Sequence, residues 1–184
     1  MSNEKQDYNI TEHIHRFAVW TAARAVQRNF TTTANIKAVI EKTQLRKLIE
    51  NPEIAHDDFN KFHDACAKKI IRSFEKIKDK NGNQLVATYG IAAKIIAIYI
   101  KTAVIIPNKG KKELSKVAHP PIDRILLSNL KKEYKEIDNI SWTKFDRDQY
   151  LETMRIINNI KAQKKYFAYW EIEVNWTASE DEKS

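Results

Sequence analysis

Apolar residues recur along this chain at intervals of three and four, and the polar breaks between such stretches are short. That period lines up side chains on one face of an α-helix. Thr11, a good capping residue, opens the first stretch, which reaches Gln27 with Ile14, Phe17, Ala18, Thr21, Ala22 and Ala25 on one face. Arg16, Arg24 and Arg28 fall on its other side, where they read as a solvated face or a phosphate-binding one. Thr31-Thr32-Thr33 then reads as a turn and cap. Two short helices, 34–42 and 44–50, follow before Asn51-Pro52. Asp57 or Asp58 caps a longer helix to about Lys78, with Phe59, Phe62, Cys66, Ile70, Phe74 and Ile77 on its apolar side.

Asp79-Lys80-Asn81-Gly82-Asn83 is the clearest turn. The spacing then predicts a helix over 88–106, stopped by Pro107, and a basic loop from Asn108 to His119. Pro121 fits the first turn of a helix reaching Tyr134, and Asp146 caps another over 147–162. Even positions are apolar from Tyr166 to Trp176, the pattern of a strand, but a lone strand has no partner. A short aromatic-rich helix closing the core is the expectation there. The fold class is therefore all-α, a compact single-domain bundle of seven to eight helices. The expected boundaries are a flexible N-terminus over 1–10, one helical domain over 11–176 and a flexible acidic tail over 177–184.

Composition agrees with that class. Glycine occurs 3 times and proline 4 times in 184 residues, whereas sheet-rich folds use both for their turns. Cys66 is the single cysteine, which excludes an internal disulfide, a cysteine-based zinc site and an iron–sulfur cluster. The polar start has no apolar run like a signal peptide, and Lys94 and Lys101 interrupt the longest apolar stretch, 91–107. A cytoplasmic protein without a membrane span, and monomeric, is the expectation.

Net charge is +8, and the excess is local: from Lys94 to Lys135 ten Lys or Arg stand against three Asp or Glu. Such a patch captures polyanions, so nucleic acid, and DNA in particular, is the expected partner. A Lys-rich solvated face is the plainer explanation of the same charge.

The helix over 91–101 is apolar almost all round, which marks a central helix. Lys94 and Lys101, seven apart, share one narrow stripe with Ala97 and Ile98 between them. Either that stripe faces solvent, or Lys94 is desolvated, its pKa lowered and its amine freed as a nucleophile. Downstream, His119-Pro120-Pro121-Ile122-Asp123 fixes the chain direction and sets Asp123 in a first helical turn. It is an ordinary helix-start aspartate or an anion that assists an attacking amine. His119 beside it reads as a loop residue or an acid–base group.

The pair resembles the helix–hairpin–helix DNA glycosylase superfamily, in which a glycine hairpin leads into a helix bearing the catalytic lysine and a Pro-x-Asp segment presents the aspartate. Tyr89-Gly90-Ile91-Ala92-Ala93-Lys94 looks like the hairpin and lysine, and Pro121-Ile122-Asp123 like the aspartate segment. A second lysine two turns on, Lys101, and the 29 positions between Lys94 and Asp123 are most similar to the archaeal 8-oxoguanine branch. The likeness covers about 40 residues, and Ala92 stands where the second hairpin glycine would be.

The resemblance implies a glycosylase/lyase that excises an altered, oxidised-purine-like base through a Schiff-base lysine, without metal or other cofactor. Lys94 and Asp123 would be catalytic. Gly90, Ile91, Ala92, Lys101, Lys109, Lys111, Lys112, Lys116 and His119 would contact DNA, and Tyr99 and Trp142 would border the base. The alternative is a non-catalytic helical module that binds nucleic acid or protein.

Other constellations carry less. His13 and His15 point to different sides of one helix, and His56 and His63 with Asp57, Asp58 and Asp64 are better explained as helix starts than as a metal site. Trp20, Trp142, Trp170 and Trp176 read as core or rim packing. No P-loop, G-x-S-x-G or dinucleotide fingerprint occurs.

Overall fold

A computed structural model of the protein describes residues 8–26, 30–55, 58–79, 81–137 and 141–173. Seven α-helices and no strands occur among them. The helices are α1 (Ile10–Val26), α2 (Thr33–Ile40), α3 (Phe59–Phe74), α4 (Tyr89–Ile100), α5 (Leu114–Val117), α6 (Arg124–Glu133) and α7 (Arg147–Gln163). The all-α expectation therefore holds. Gln27, Arg28, His56, Asp57, Trp176 and both expected flexible ends beyond Tyr8 and Glu173 lie outside the described residues.

Helix α4 is the axis of the fold. Every residue from Tyr89 to Ile100 is buried except Ile98, as a helix apolar all round requires. α1 crosses it through small residues: Ala18, Ala22 and Ala23 are fully buried and let the two backbones approach closely. Ala18 and Ala22 keep the expected face of α1, and Phe17 departs from it. Phe17 and Trp20 are about half exposed and stack on each other with ring centroids 5.8 Å apart. The alanine side wins the interface because its buried partner, α4, carries the bulk.

Cap chemistry fixes where the helices start. Thr32, Asp58, Thr88, Asp123 and Asp146 each accept a backbone N–H with the side chain at a helix N-cap. α6 thus begins at Arg124, with Asp123 as its cap and the two prolines in extended chain before it. That is later than the start Pro121 suggested. α3 ends at Phe74, short of Lys78. The stretch expected as a second short helix is a 3-10 turn, Leu45–Leu48. α4 runs on into a π-turn, Lys101–Ile105, instead of continuing as one α-helix to Ile106. Tyr169–Glu173 is a 3-10 turn, helical and not a strand. Among the described residues no helix is long and apolar enough to cross a membrane.

Candidate active site

Three segments meet at the front half of α4. Thr88 caps the helix and also donates its hydroxyl to the Thr143 carbonyl at 2.8 Å. Two residues on, the Gly90 N–H donates to the Phe145 carbonyl at 3.0 Å. A Cβ on Gly90 would lie 1.9 Å from the Trp142 carbonyl oxygen. Glycine is therefore what lets the 3-10 turn Trp142–Lys144 lie directly across the helix start. That clamp sets the Trp142 ring 5.6 Å from the Lys94 ammonium, within range of a cation–π attraction.

Lys94 projects from the second turn of α4 and is 5% exposed. Its Nζ donates to Asp123 Oδ2 at 2.7 Å. The other oxygen, Oδ1, accepts the Leu126 N–H at 2.9 Å as the α6 cap. The aspartate therefore holds the helix and faces the lysine at once. Burial lowers the Lys94 pKa below that of an ordinary lysine, and the attraction of Asp123 only partly opposes it.

Two turns further along α4, Lys101 donates to Glu173 Oε2 at 2.7 Å. The Glu173 side chain is only 9% exposed, and among the described residues its second oxygen, Oε1, has no hydrogen-bond partner. Burial raises its carboxyl pKa, Lys101 and Lys94 oppose that, and Asp123 adds to it. A small cavity of about 40 Å³ opens between the two carboxylates, bordered by Pro121, Asp123, Ile125, Leu126, Asn129, Ile172 and Glu173. The larger hollow, about 500 Å³, lies between the C-terminal end of α6 and α7, shares no residue with it and is rimmed by charges of both signs.

The structure thus brings Lys94, Asp123, Trp142 and Lys101 into one region. Gly90 lies there too, under the Trp142 carbonyl, whereas Tyr99 and His119 face elsewhere. Tyr99 is fully buried on another face of α4, its hydroxyl 2.7 Å from His15 Nδ1, so it offers no stacking face to a base. His119 turns inward: Nδ1 lies 3.0 Å from the Tyr150 hydroxyl and Nε2 3.0 Å from Asn60 Oδ1. Gly90, Ile91 and Ala92 have their backbone donors engaged within the protein. Their N–H groups go to the Phe145 carbonyl, Thr88 Oγ1 and the Thr88 carbonyl, which leaves none of them for a phosphate. Lys109, Lys111 and Lys112 are exposed, and Lys116 is half-buried.

Two features went unread in the sequence. Glu173 sits in the aromatic-rich segment taken only as packing; a carboxylate between Ile172 and Val174 was the available signal. The second is a buried cluster of His63, His119, Tyr89 and Tyr150 behind the α4 start, with the His63 and His119 rings 4.8 Å apart. No spacing rule connects residues on four separate elements. Among the described residues no group of three or more His, Cys, Asp or Glu is placed to hold a metal ion.

Comparison with protein-family models, with curated proteins and with solved structures gives no match for this chain.

Proposed function

We propose that the protein is a DNA glycosylase/lyase that removes an altered base, an oxidised purine by the sequence resemblance, with Lys94 as the nucleophile. The observation that carries this reading is the Lys94–Asp123 pair: a buried amine with a lowered pKa, 2.7 Å from a half-buried carboxylate fixed as a helix cap. A lysine so placed can transfer its proton to the carboxylate and present a neutral amine.

In this reading the Nζ lone pair attacks C1′ of the deoxyribose. The C1′–N glycosidic bond breaks, and its electron pair leaves with the base, which takes up a proton. Asp123 receives the ammonium proton before attack and passes it to the departing base. Opening of the furanose ring gives an imine between Nζ and C1′. Loss of a C2′ proton then expels the 3′-phosphate and cleaves the strand. The chemistry requires no metal or other cofactor, and one chain supplies the whole set of groups. A cytoplasmic monomer acting on DNA is the corresponding setting.

The 40 Å³ cavity takes water and not a base, so the site must open around a flipped nucleotide. One observation favours a second reading. With the three hairpin N–H groups occupied, a non-catalytic module in which Lys94 and Asp123 merely pin α4 to α6 explains the same contacts.

Borohydride trapping on an abasic-site oligonucleotide decides between them. The first reading expects a covalent adduct with the parent protein that vanishes in Lys94→Gln. An adduct retained by that variant removes Lys94 from the mechanism. No adduct, with DNA binding still measurable, establishes the module.

A further inference from the structure

Beside the site, the loop after the π-turn packs against the end of the described chain, and two aromatic rings stand out of the surface there. Trp170 is 41% exposed and Phe167 52% exposed. Neither is a loose side chain. Gly110 has φ +70°, and a Cβ on it would lie 2.9, 3.2 and 3.3 Å from three atoms of the Trp170 indole. The ring is therefore seated on a bare glycine backbone that holds it in place while much of it stays in solvent. The Phe167 ring carries the Lys116 ammonium 4.7 Å from its centroid. Around these rings Lys109, Lys111 and Lys112 are exposed, with Glu113, which pairs with Lys116, as an opposing charge in the loop.

Exposed aromatics normally cost solubility, and lysines alone would suit any polyanion. Seated rings set among cations suit a narrower class of partner, one with anionic groups in series and flat apolar faces between them. Unpaired nucleotides have that character, because bases stack on aromatic side chains while lysines track the phosphates. A duplex keeps its faces stacked internally and offers only phosphates to such a surface.

We propose that Phe167 and Trp170, set among Lys109, Lys111, Lys112 and Lys116, form a stacking surface for unpaired bases of single-stranded DNA. The surface adjoins the site, since Glu173, the partner of Lys101, ends the same 3-10 turn that carries Trp170. It holds strand left unpaired when a nucleotide is extruded toward Lys94. The inference rests on the reading of the protein as one that acts on DNA, but its test does not use the Lys94 chemistry.

The experiment is a fluorescence-anisotropy titration of a labelled oligothymidylate strand and of a duplex of equal length, at matched salt. The parent should bind the single strand in preference to the duplex. Phe167→Ala should weaken single-strand binding about tenfold, the scale of one lost stacked base, while Phe167→Trp retains it. Lys111→Glu with Lys112→Glu should weaken both ligands. Equal binding by the parent and Phe167→Ala, or no preference for the single strand, would overturn the stacking surface. If the borohydride adduct still forms at Lys94 in that event, the glycosylase reading stands without it. If single-strand binding behaves as expected but no adduct forms, the surface stands and the catalytic reading fails.

Discussion

Lys94 and Asp123 lie 29 positions apart in the chain and 2.7 Å apart in space, and each is held there by its own helix. The lysine projects from a helix buried nearly all round, and the aspartate caps another. A buried ion pair adds little net stability, but breaking one side leaves a charge without compensation. Asp123→Asn keeps a good capping side chain and removes only the anion. It should cost about 3 kcal/mol in urea denaturation, with Lys94→Met in the same chain recovering part of the loss. A single-variant cost near zero would mean that the lysine is hydrated in solution. On an abasic oligonucleotide the same variant should slow trapping roughly a hundredfold or more, the scale of a lost proton acceptor.

Gly90 is required by packing and not by phosphate. Its added Cβ would meet the Trp142 carbonyl at 1.9 Å and Phe145 Cβ at 3.1 Å, so backbone has to move. Gly90→Ala should therefore cost about 3 kcal/mol or prevent folding, well beyond the preference of helices for alanine over glycine. If thermal melting shows the variant to be as stable as the parent, the clamp of residues 142–145 on α4 does not exist in solution.

Much of the fold was legible in the sequence because helices and their caps are local. Period, Thr and Asp at N-caps and the low glycine content gave most of the elements to within a few residues, but Leu114–Val117, expected as loop, is helical, and the expected helix over 44–50 is only a 3-10 turn. The errors arose where distant partners decide the outcome. Phe17 looked like core because it is large, yet α4 needed the alanine face of α1 for close approach. Ala92 already broke the hairpin pattern, but only the position of Phe145 shows where the Gly90 N–H goes. In the candidate site Lys94 and Asp123 could be named from local context. Glu173 could not, because its burial depends on how residues 169–173 return to α4.

Tyr99 belongs to a different network from the one its place near Lys94 suggested. Its hydroxyl lies 2.7 Å from His15 Nδ1, while His15 Nε2 lies 2.9 Å from Glu41. Tyr99→Phe removes one buried hydrogen bond and strands an imidazole nitrogen. A loss of about 1–2 kcal/mol in stability is expected, with DNA trapping at permissive temperature unchanged. A variant that keeps its stability but loses trapping would return Tyr99 to the base pocket.

Acid should unfold the protein through the cluster behind the α4 start. His63 is fully enclosed by Phe59, Tyr89, His119 and Tyr150, and burial pushes its pKa down to about 4, against a small pull from Asp64. In the unfolded chain the same imidazole titrates near 6.5. Between those values the unfolded state binds a proton that the folded state refuses, so stability present above 6.5 is lost as the pH falls toward 4. For His63 alone the loss is roughly 3 kcal/mol. His119, also pushed well down by burial and then by His63, adds to it in the same direction. Below that window Asp64 contributes too. Burial raises its pKa, but hydrogen bonds from Lys68, Arg147 and Tyr89 outweigh it and hold the carboxyl near 2. Glu173, raised by burial, works the opposite way around its own titration. Comparing parent and His63→Gln in urea at pH 7, 5.5 and 4 removes the His63 imidazole together with its push on His119, while the remaining groups are common to both. The variant should start less stable and gain on the parent steadily as the pH drops, by roughly 3 kcal/mol at the acid end. Parallel curves would show that His63 accepts a proton in the folded protein as readily as in the unfolded chain, and that the cluster is open to water.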